Sequence, residues 1–201
     1  AIAVDGRLDE PAWKTAYPTE SFLVYREGRK IASAHTRVRL LYDRERLYLG
    51  ANCWVPDGAE PVAQQRARDG EILQDDALEI FLVPPGLNGS YVHLMVNALG
   101  CWHDTRLDKV AGGAGLTSYD RHPEWDPVSI EVAAVPRPGR WDVELSLALA
   151  DLGGATAGWR ANFAREFLSA QGTRELSSIL PSDCEDFHDL KRFPAVVFSP
   201  E

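Results

Sequence analysis

Two neighbouring segments of the chain carry polar side chains in a pattern that could bind a ligand. Residues 77–83 and 91–98 alternate in character with the two-residue period of a β-strand, and the PPGLNG stretch between them is typical of a hairpin turn. One face of this hairpin mixes ionisable, amide and apolar side chains: Ala77, Glu79, Phe81, His93, Met95 and Asn97. Because a carboxylate and an amide can both hydrogen-bond a polar ligand, we predict that Glu79 and Asn97 point into one depression that forms a binding surface.

Three carboxylates in or just before the first segment could carry enzyme chemistry, since glycoside hydrolysis uses a pair of acidic side chains. They are Asp75, Asp76 and Glu79. Asp75 and Asp76 are adjacent, so on a strand their side chains point to opposite faces and cannot flank one glycosidic bond. The sequence also contains neither a Gly-x-Ser-x-Gly nucleophile turn nor a phosphate-binding loop. We therefore predict a non-catalytic protein in which Glu79 is a buried or ligand-facing residue.

The elements that must position these residues are short. Apolar stretches recur between clusters of Gly, Pro, Asn and Asp, a pattern typical of a sandwich or barrel. The 201 residues fit one domain, 1–201, and the hydrophobic content of 45% is enough for a sizeable core. We predict an all-β fold, a jelly-roll-like antiparallel β-sandwich. The predicted strands lie near residues 21–25, 36–42, 46–54, 77–83, 91–98, 101–106, 128–135, 140–148, 159–168, 174–180 and 193–198.

Two further elements are predicted outside the strands. A short helical turn covers residues 10–15, with Asp9 as its N-cap and Pro11 in its first turn. The glycine-rich stretch 110–127 is predicted to form a long loop over one end of the sandwich, where binding surfaces often lie.

Composition argues against several classes of partner. The formal net charge of −9 disfavours nucleic acid and anionic membranes, because phosphate binding needs clustered Lys and Arg and the basic residues here are scattered along the sequence.

Cys53, Cys101 and Cys184 match no zinc motif and allow at most one disulfide, and Cys53 is predicted to be a small buried hydrophobe. No apolar run is long enough to span a bilayer, and no signal sequence is recognisable. Because the chain begins at Ala1, we expect a processed or excised piece of a longer protein.

Five segments in their order along the chain resemble the family 9 carbohydrate-binding modules and their relatives in the DOMON-like superfamily. The segments are 4–13 (VDGRLDEPAW), 37–43 (RVRLLYD), 47–51 (LYLGA), 141–147 (WDVELSL) and 159–165 (WRANFAR). The resemblance runs from about residue 2 to residue 198 and implies a second short helical turn after Ala148. It also implies a non-catalytic module that binds an oligosaccharide or polysaccharide and is attached to other domains of a larger secreted, polysaccharide-active protein.

The resemblance implies where a sugar would bind. The family's site is similar to one that binds the end of a sugar chain and clamps the terminal sugar between two Trp rings. The positions aligned with those two rings are Leu73 and Ile179. The Arg that normally stands two residues before the strand Asn is replaced by Met95, whereas Asn97 and Glu79 are retained. The polar half of the family's site is therefore partly present and its stacking half is not.

The Trp residues divide into those expected to pack in the structure and those that could contact a sugar. Trp13, Trp141 and Trp159 occupy positions that the resemblance makes structural, and Trp125 is assigned to packing. Trp54 and Trp102 lie at strand ends, where a flat ring could stack on a sugar. We predict that any sugar affinity is weak and does not depend on a two-ring clamp, and that any stacking comes from Trp54 or Trp102.

Two alternatives to carbohydrate binding stay open. Some relatives with this sandwich bind haem b through a Met and a second axial ligand, so the chain could be an electron-transfer module that uses its only Met, Met95. His93 cannot be the partner, because residues i and i+2 of one strand share a side, which leaves His103, His122 or His188. The chain could also be a structural accessory domain without a ligand.

A structural calcium ion is also implied by the resemblance, since family members often hold one. The candidate oxygen ligands are Asp5, Asp57, Asp69 and Asp104.

Overall fold

Strands dominate the structure, as the two-residue alternation predicts. The computed structural model of the chain describes residues 2–110, 119–154, 157–184 and 186–198. Its strands are β1 (Leu23–Val24), β2 (Thr36–Tyr42), β3 (Arg46–Trp54), β4 (Ala77–Val83), β5 (Tyr91–Asn97), β6 (Trp102–Lys109), β7 (Tyr119–His122), β8 (Glu131–Arg137), β9 (Arg140–Ala148), β10 (Trp159–Leu168), β11 (Arg174–Ser178) and β12 (Ala195–Val196). The helix α1 is Pro11–Thr15, and 3-10 turns include Ile72–Gln74 and Leu149–Leu152.

The strands form two antiparallel sheets. The larger sheet has the order β1-β11-β10-β4-β5-β6-β7, with β12 also paired to β10, and the smaller sheet has the order β2-β3-β9-β8. This arrangement confirms the predicted antiparallel β-sandwich. The hairpin strands β4 and β5 lie in the middle of the larger sheet, which gives their side chains neighbours on both sides.

The main core lies between the sheets. Leu78, Ile80 and Leu82 of β4 are buried there, and the alternation therefore turns the mixed face of the hairpin away from the smaller sheet. The predicted core Trp residues are confirmed, because Trp13, Trp141 and Trp159 are only 3%, 1% and 0% exposed. Cys53 is buried in the same core, as predicted. All three cysteines are free.

Two local predictions need correction, and one is confirmed. Glu10, not Asp9, is the N-cap residue of α1, and it makes no side-chain capping bond. Its carboxylate instead accepts a hydrogen bond from the Ala3 amide. The predicted loop 110–127 contains β7, which extends the larger sheet by pairing with β6; residues 111–118 lie outside the described residues. The helical turn after Ala148 is confirmed as Leu149–Leu152.

A buried ion pair joins the two sheets. The Arg165 guanidinium of β10 donates two hydrogen bonds of 2.8 Å to the Asp76 carboxylate, and both side chains are fully buried. The Trp141 indole of the smaller sheet also donates to Asp76, at 3.1 Å. Arg165 donates further to the Thr36 hydroxyl of β2 and to the Trp54 carbonyl of β3. Through these bonds, and through Trp141 of β9, the ion pair contacts three strands of the smaller sheet.

The N-terminal segment is fixed to the outer face of the smaller sheet. The Glu144 carboxylate accepts hydrogen bonds from the amides of Asp5, Gly6 and Arg7 and from the Trp13 indole. Burial raises the pKa of Glu144, while these donors lower it. The segment therefore covers the middle of that outer face.

Replacing Arg165 with Met tests the ion pair. Arg165→Met leaves the Asp76 carboxylate buried with only the Trp141 donor, so we expect the free energy of unfolding in urea to fall by about 3–5 kcal/mol. Arg44→Met, at an exposed position, is the matched control and should change it by less than about 0.5 kcal/mol. A loss for Arg165→Met as small as that of the control would contradict the role assigned to the pair.

Candidate functional site

The mixed face of the hairpin forms as the sequence predicts. The β4–β5 register places its residues directly opposite one another: Ala77 with Asn97, Glu79 with Met95, and Phe81 with His93. The face continues onto β6, where His103 is opposite Met95, and onto β10, where Ala164 is opposite Glu79. Glu79 and Asn97 therefore share one face of the larger sheet.

One half of this face is covered by the chain itself. Leu180, Cys184 and Phe193, which we call the C-terminal cover, pack in one apolar cluster with Phe81 and with other residues of the face. The other half is bordered by the turn Ile72–Gln74, where Ile72 packs against Ala77 and Met95. The part of the face between these borders is the candidate site.

Glu79 and His93 form a buried pair at the border of the site. His93 Nε2 lies 2.8 Å from Glu79 Oε2, and the two residues are 3% and 4% exposed. The His93 ring also stacks on Phe81, with ring centroids 4.2 Å apart. Within the described part of the chain, Glu79 Oε1 and His93 Nδ1 have no hydrogen-bond partner. The pair therefore keeps unused hydrogen-bonding capacity on each residue.

Burial determines the charge of this pair. It raises the pKa of Glu79 to about 7, which the Arg174 charge partly opposes, and it lowers the pKa of His93 to about 3. Between these values both groups are uncharged, and the protonated Glu79 carboxyl donates a hydrogen bond to His93 Nε2. Above pH 7 the carboxylate instead accepts a hydrogen bond from a neutral His93. In either state Glu79 Oε1 can hydrogen-bond a ligand hydroxyl.

A second carboxylate lies on the same face. Glu166 of β10 is opposite Ala77, and it forms an ion pair with Arg174 of β11. Burial and the charge of Glu79 raise the pKa of Glu166, while Arg174 lowers it. Sequence reasoning missed Glu166 and Arg174, although the alternation within residues 159–168 and 174–180 could have placed both on one face.

Asn97 is engaged by its own chain. Its amide donates to the Gln65 carbonyl and to the Asp75 carboxylate, and its oxygen accepts from the amides of Leu99 and Cys101. These four bonds use its full hydrogen-bonding capacity. The structure therefore assigns Asn97 to holding the turn after β5, and ligand contact by Asn97 stays a prediction.

The other sequence-predicted site residues lie in different places. Leu73 is in the turn beside the site and is 39% exposed. Ile179 and Trp102 are half-buried and pack against the core between the sheets. Trp54 lies on the outer face of the smaller sheet, since its neighbour Cys53 faces the core. The structure thus brings Glu79, Met95 and Leu73 into one region and places Ile179, Trp102 and Trp54 elsewhere.

Haem ligation gains no support from the positions of the candidate ligands. Met95 and His103 are side by side on one sheet face, so they cannot approach an iron from opposite sides. His122 lies on β7 and contacts Glu124, and His188 is hydrogen-bonded to Tyr91.

Calcium ligation also stays a prediction. Asp104 is paired with Arg68, and Asp69 lies 3.6 Å from the same guanidinium. In the described ranges, no group of three or more His, Cys, Asp or Glu side chains is arranged to hold a metal ion.

Comparison with solved structures identifies the fold. A family 9 carbohydrate-binding module from Caldicellulosiruptor kristjanssonii in complex with glucose matches with a TM-score of 0.63 and 16% identity, over 96% of this chain and 89% of that chain. A module of the same family and organism in complex with cellotriose matches with a TM-score of 0.61 and 15% identity, over 100% of this chain and 96% of that chain. A Bacteroides uniformis protein to which carbohydrate binding has been attributed matches with a TM-score of 0.63 and 14% identity, over 91% and 88% of the two chains. No protein-family model and no curated protein matches the chain. The chain therefore has a fold like that of family 9 carbohydrate-binding modules.

The buried state of Glu79 predicts a pH dependence of stability. Because its pKa is raised in the folded state from 4.5 to about 7, the stability it contributes is fully present below pH 4.5 and is lost as the pH rises to 7. We therefore expect Glu79→Gln, which does not titrate, to gain roughly 3 kcal/mol in unfolding free energy relative to the parent over this interval.

Urea unfolding at a series of pH values measures this difference. The titration of His93 is common to both proteins and largely cancels. Glu45→Gln, at an exposed position, is the control and should show no such trend. A Glu79→Gln difference that stays constant from pH 4.5 to pH 7 would show that Glu79 titrates as an exposed carboxyl does.

Proposed function

We propose that this chain is a non-catalytic carbohydrate-binding module that binds an oligosaccharide or polysaccharide at the candidate site. The observation that carries the proposal is the buried Glu79 Oε1 atom, which lacks a partner among the described residues. A buried polar atom without a partner costs about 1–3 kcal/mol, so a ligand that satisfies it is stabilised. A sugar hydroxyl can donate a hydrogen bond to Glu79 Oε1, which is an acceptor in both protonation states of the pair.

The surroundings of Glu79 also suit a sugar. The exposed Leu73 supplies apolar surface for the C–H groups of a sugar ring, while the Glu166–Arg174 pair supplies charged hydrogen-bonding groups near its edge. Each carboxylate of the site already has a protein partner, His93 for Glu79 and Arg174 for Glu166. This arrangement supports binding over glycoside hydrolysis, which needs two carboxylates free to act on one bond.

The fold and the composition support a wider role. We propose a single module, residues 1–201, that is attached to other domains of a larger polysaccharide-active protein and is secreted or extracytoplasmic. The sequence resemblance and the likeness to solved carbohydrate-binding modules support this role. The net charge of −9 supports a partner other than nucleic acid or an anionic membrane. In the part of the chain that is described, no helix is long and apolar enough to cross a membrane.

Calorimetry with cellotriose tests the site directly. Glu79→Leu keeps the apolar volume but removes the hydrogen-bonding oxygens, so we expect the association constant to fall about tenfold. Glu45→Leu, at an exposed position, should leave it within about twofold of the parent. If the parent binds neither cellotriose nor any member of a glycan array, the proposal fails and the structural accessory role replaces it.

Adding an aromatic ring at Leu73 tests the position of the sugar. Leu73 is 39% exposed beside the site, so Leu73→Trp can place a flat ring there and should raise the association constant for cellotriose about two- to tenfold. Ile179→Trp is the contrasting variant. Because Ile179 packs against the core, this change should destabilise the fold by about 1–3 kcal/mol without improving binding. Equal gains from both variants would contradict the site as placed here.

A further inference from the structure

The smaller sheet gathers arginines that are far apart in the sequence. Its outer face carries Arg37 and Arg39 from β2 and Arg137 and Arg140 from the β8–β9 hairpin, all around Trp54. We call these five residues the arginine surface. It spans four strands, or about 14 Å at the usual strand spacing. A concentration of positive charge is unexpected in a chain with a net charge of −9.

Trp54 positions two of the guanidinium groups. The Arg37 guanidinium carbon lies 5.7 Å from the centroid of the Trp54 ring, and that of Arg140 lies 5.9 Å from it. Since Trp54 is on β3, the two arginines reach it from the strands on either side. The ring therefore holds guanidinium groups in place, and sugar stacking by Trp54 stays a prediction.

The positive charge of this surface is only partly compensated. One buried carboxylate, Asp142, accepts hydrogen bonds from the Nε atoms of Arg137 and Arg140. Arg39 donates to the Asn52 side chain, which is neutral. Four positive charges thus face one negative charge within the surface. Burial and the charge of Arg37 lower the pKa of Arg39. An anion bound nearby would raise that pKa again.

A depression adjoins the arginine surface at the end of the sandwich. It has a volume of about 280 Å³, and Arg137 and Arg140 border it. Much of its remaining lining is apolar, including Val55, Pro61, Ala98 and Leu99, and it also contains one acidic residue, Glu60. Apolar surface next to guanidinium groups matches a ligand that has both ring C–H groups and acidic groups.

We propose that the arginine surface is a second binding site, which takes a uronic-acid glycan, a sugar chain with carboxylate groups. The planar guanidinium fork matches a carboxylate with two parallel hydrogen bonds. The depression provides room for part of a sugar ring beside those charges. Nucleic acid suits the surface less well, because four arginines offer few phosphate contacts and the rest of the chain is acidic. The choice of a glycan rests on the proposed function, whereas the site lies on the other sheet.

Calorimetry with tetragalacturonate, and with its fully methyl-esterified form as an uncharged control ligand, tests this site. Arg37 has no carboxylate partner in the described residues and Arg39 bonds a neutral amide, so Arg37→Gln/Arg39→Gln does not expose the buried Asp142 charge. We expect the parent to bind the acid at least about tenfold more tightly than the ester. The double variant should lower the association constant for the acid about tenfold.

Three controls separate this site from general charge effects and from the candidate site of Glu79. Arg29→Gln/Arg44→Gln changes the net charge equally at exposed positions and should stay within about twofold of the parent. Cellotriose binding should be unchanged in Arg37→Gln/Arg39→Gln, and tetragalacturonate binding should be unchanged in Glu79→Leu. The proposal is overturned if both arginine double variants weaken tetragalacturonate binding equally. It is also overturned if the parent binds an octathymidylate more tightly than tetragalacturonate, or does not bind tetragalacturonate. If the parent protein binds tetragalacturonate but not cellotriose, only the proposed function of the candidate site of Glu79 is overturned.

Discussion

The buried ion pair between Asp76 and Arg165 constrains which face of the larger sheet Glu79 occupies. A charge inside the core is tolerated only with a partner, so Asp76 must point toward Arg165 and the Trp141 indole. Strand alternation then turns Asp75 and Glu79 to the opposite face. A slip of one residue in β4 would bring Glu79 into the core and separate Asp76 from Arg165. The contact that joins the sheets thus also fixes the register that presents Glu79.

The two faces of the sandwich treat charge in different ways. On the larger sheet, burial keeps Glu79 and His93 uncharged below neutral pH, and the neighbouring Glu166 is compensated by Arg174. On the smaller sheet, the arginines remain charged and exceed their carboxylate partner, Asp142, in number. The first environment suits neutral sugar hydroxyls, and the second suits acidic groups. The same strand period produces both, because each strand shows one row of side chains to the core and the other row outward.

Local patterns in the sequence were sufficient to predict most of the strands and the hairpin face, because these features depend on alternation within single segments. The burial of Trp13, Trp141 and Trp159 was predicted from the family resemblance, and β7 was not predicted. Features that depend on strand pairing were not predicted. Arg37 and Arg140 meet only because β3 lies between their strands, and Glu166 reaches the site only because β10 pairs with β4. The burial of Ile179 was missed for the same reason, since alignment to a family position does not specify which side of the sheet a residue faces.

The unpaired oxygen of Glu79 has a thermodynamic consequence for any ligand that occupies the site. A ligand that covers Glu79 would favour its protonated form by desolvation, whereas a hydroxyl that donates to Glu79 Oε1 would favour the carboxylate. Since the pKa of Glu79 is about 7, either effect would make ligand binding near neutral pH exchange hydrogen ions with the solution. The direction of that exchange would report which of the two effects is larger.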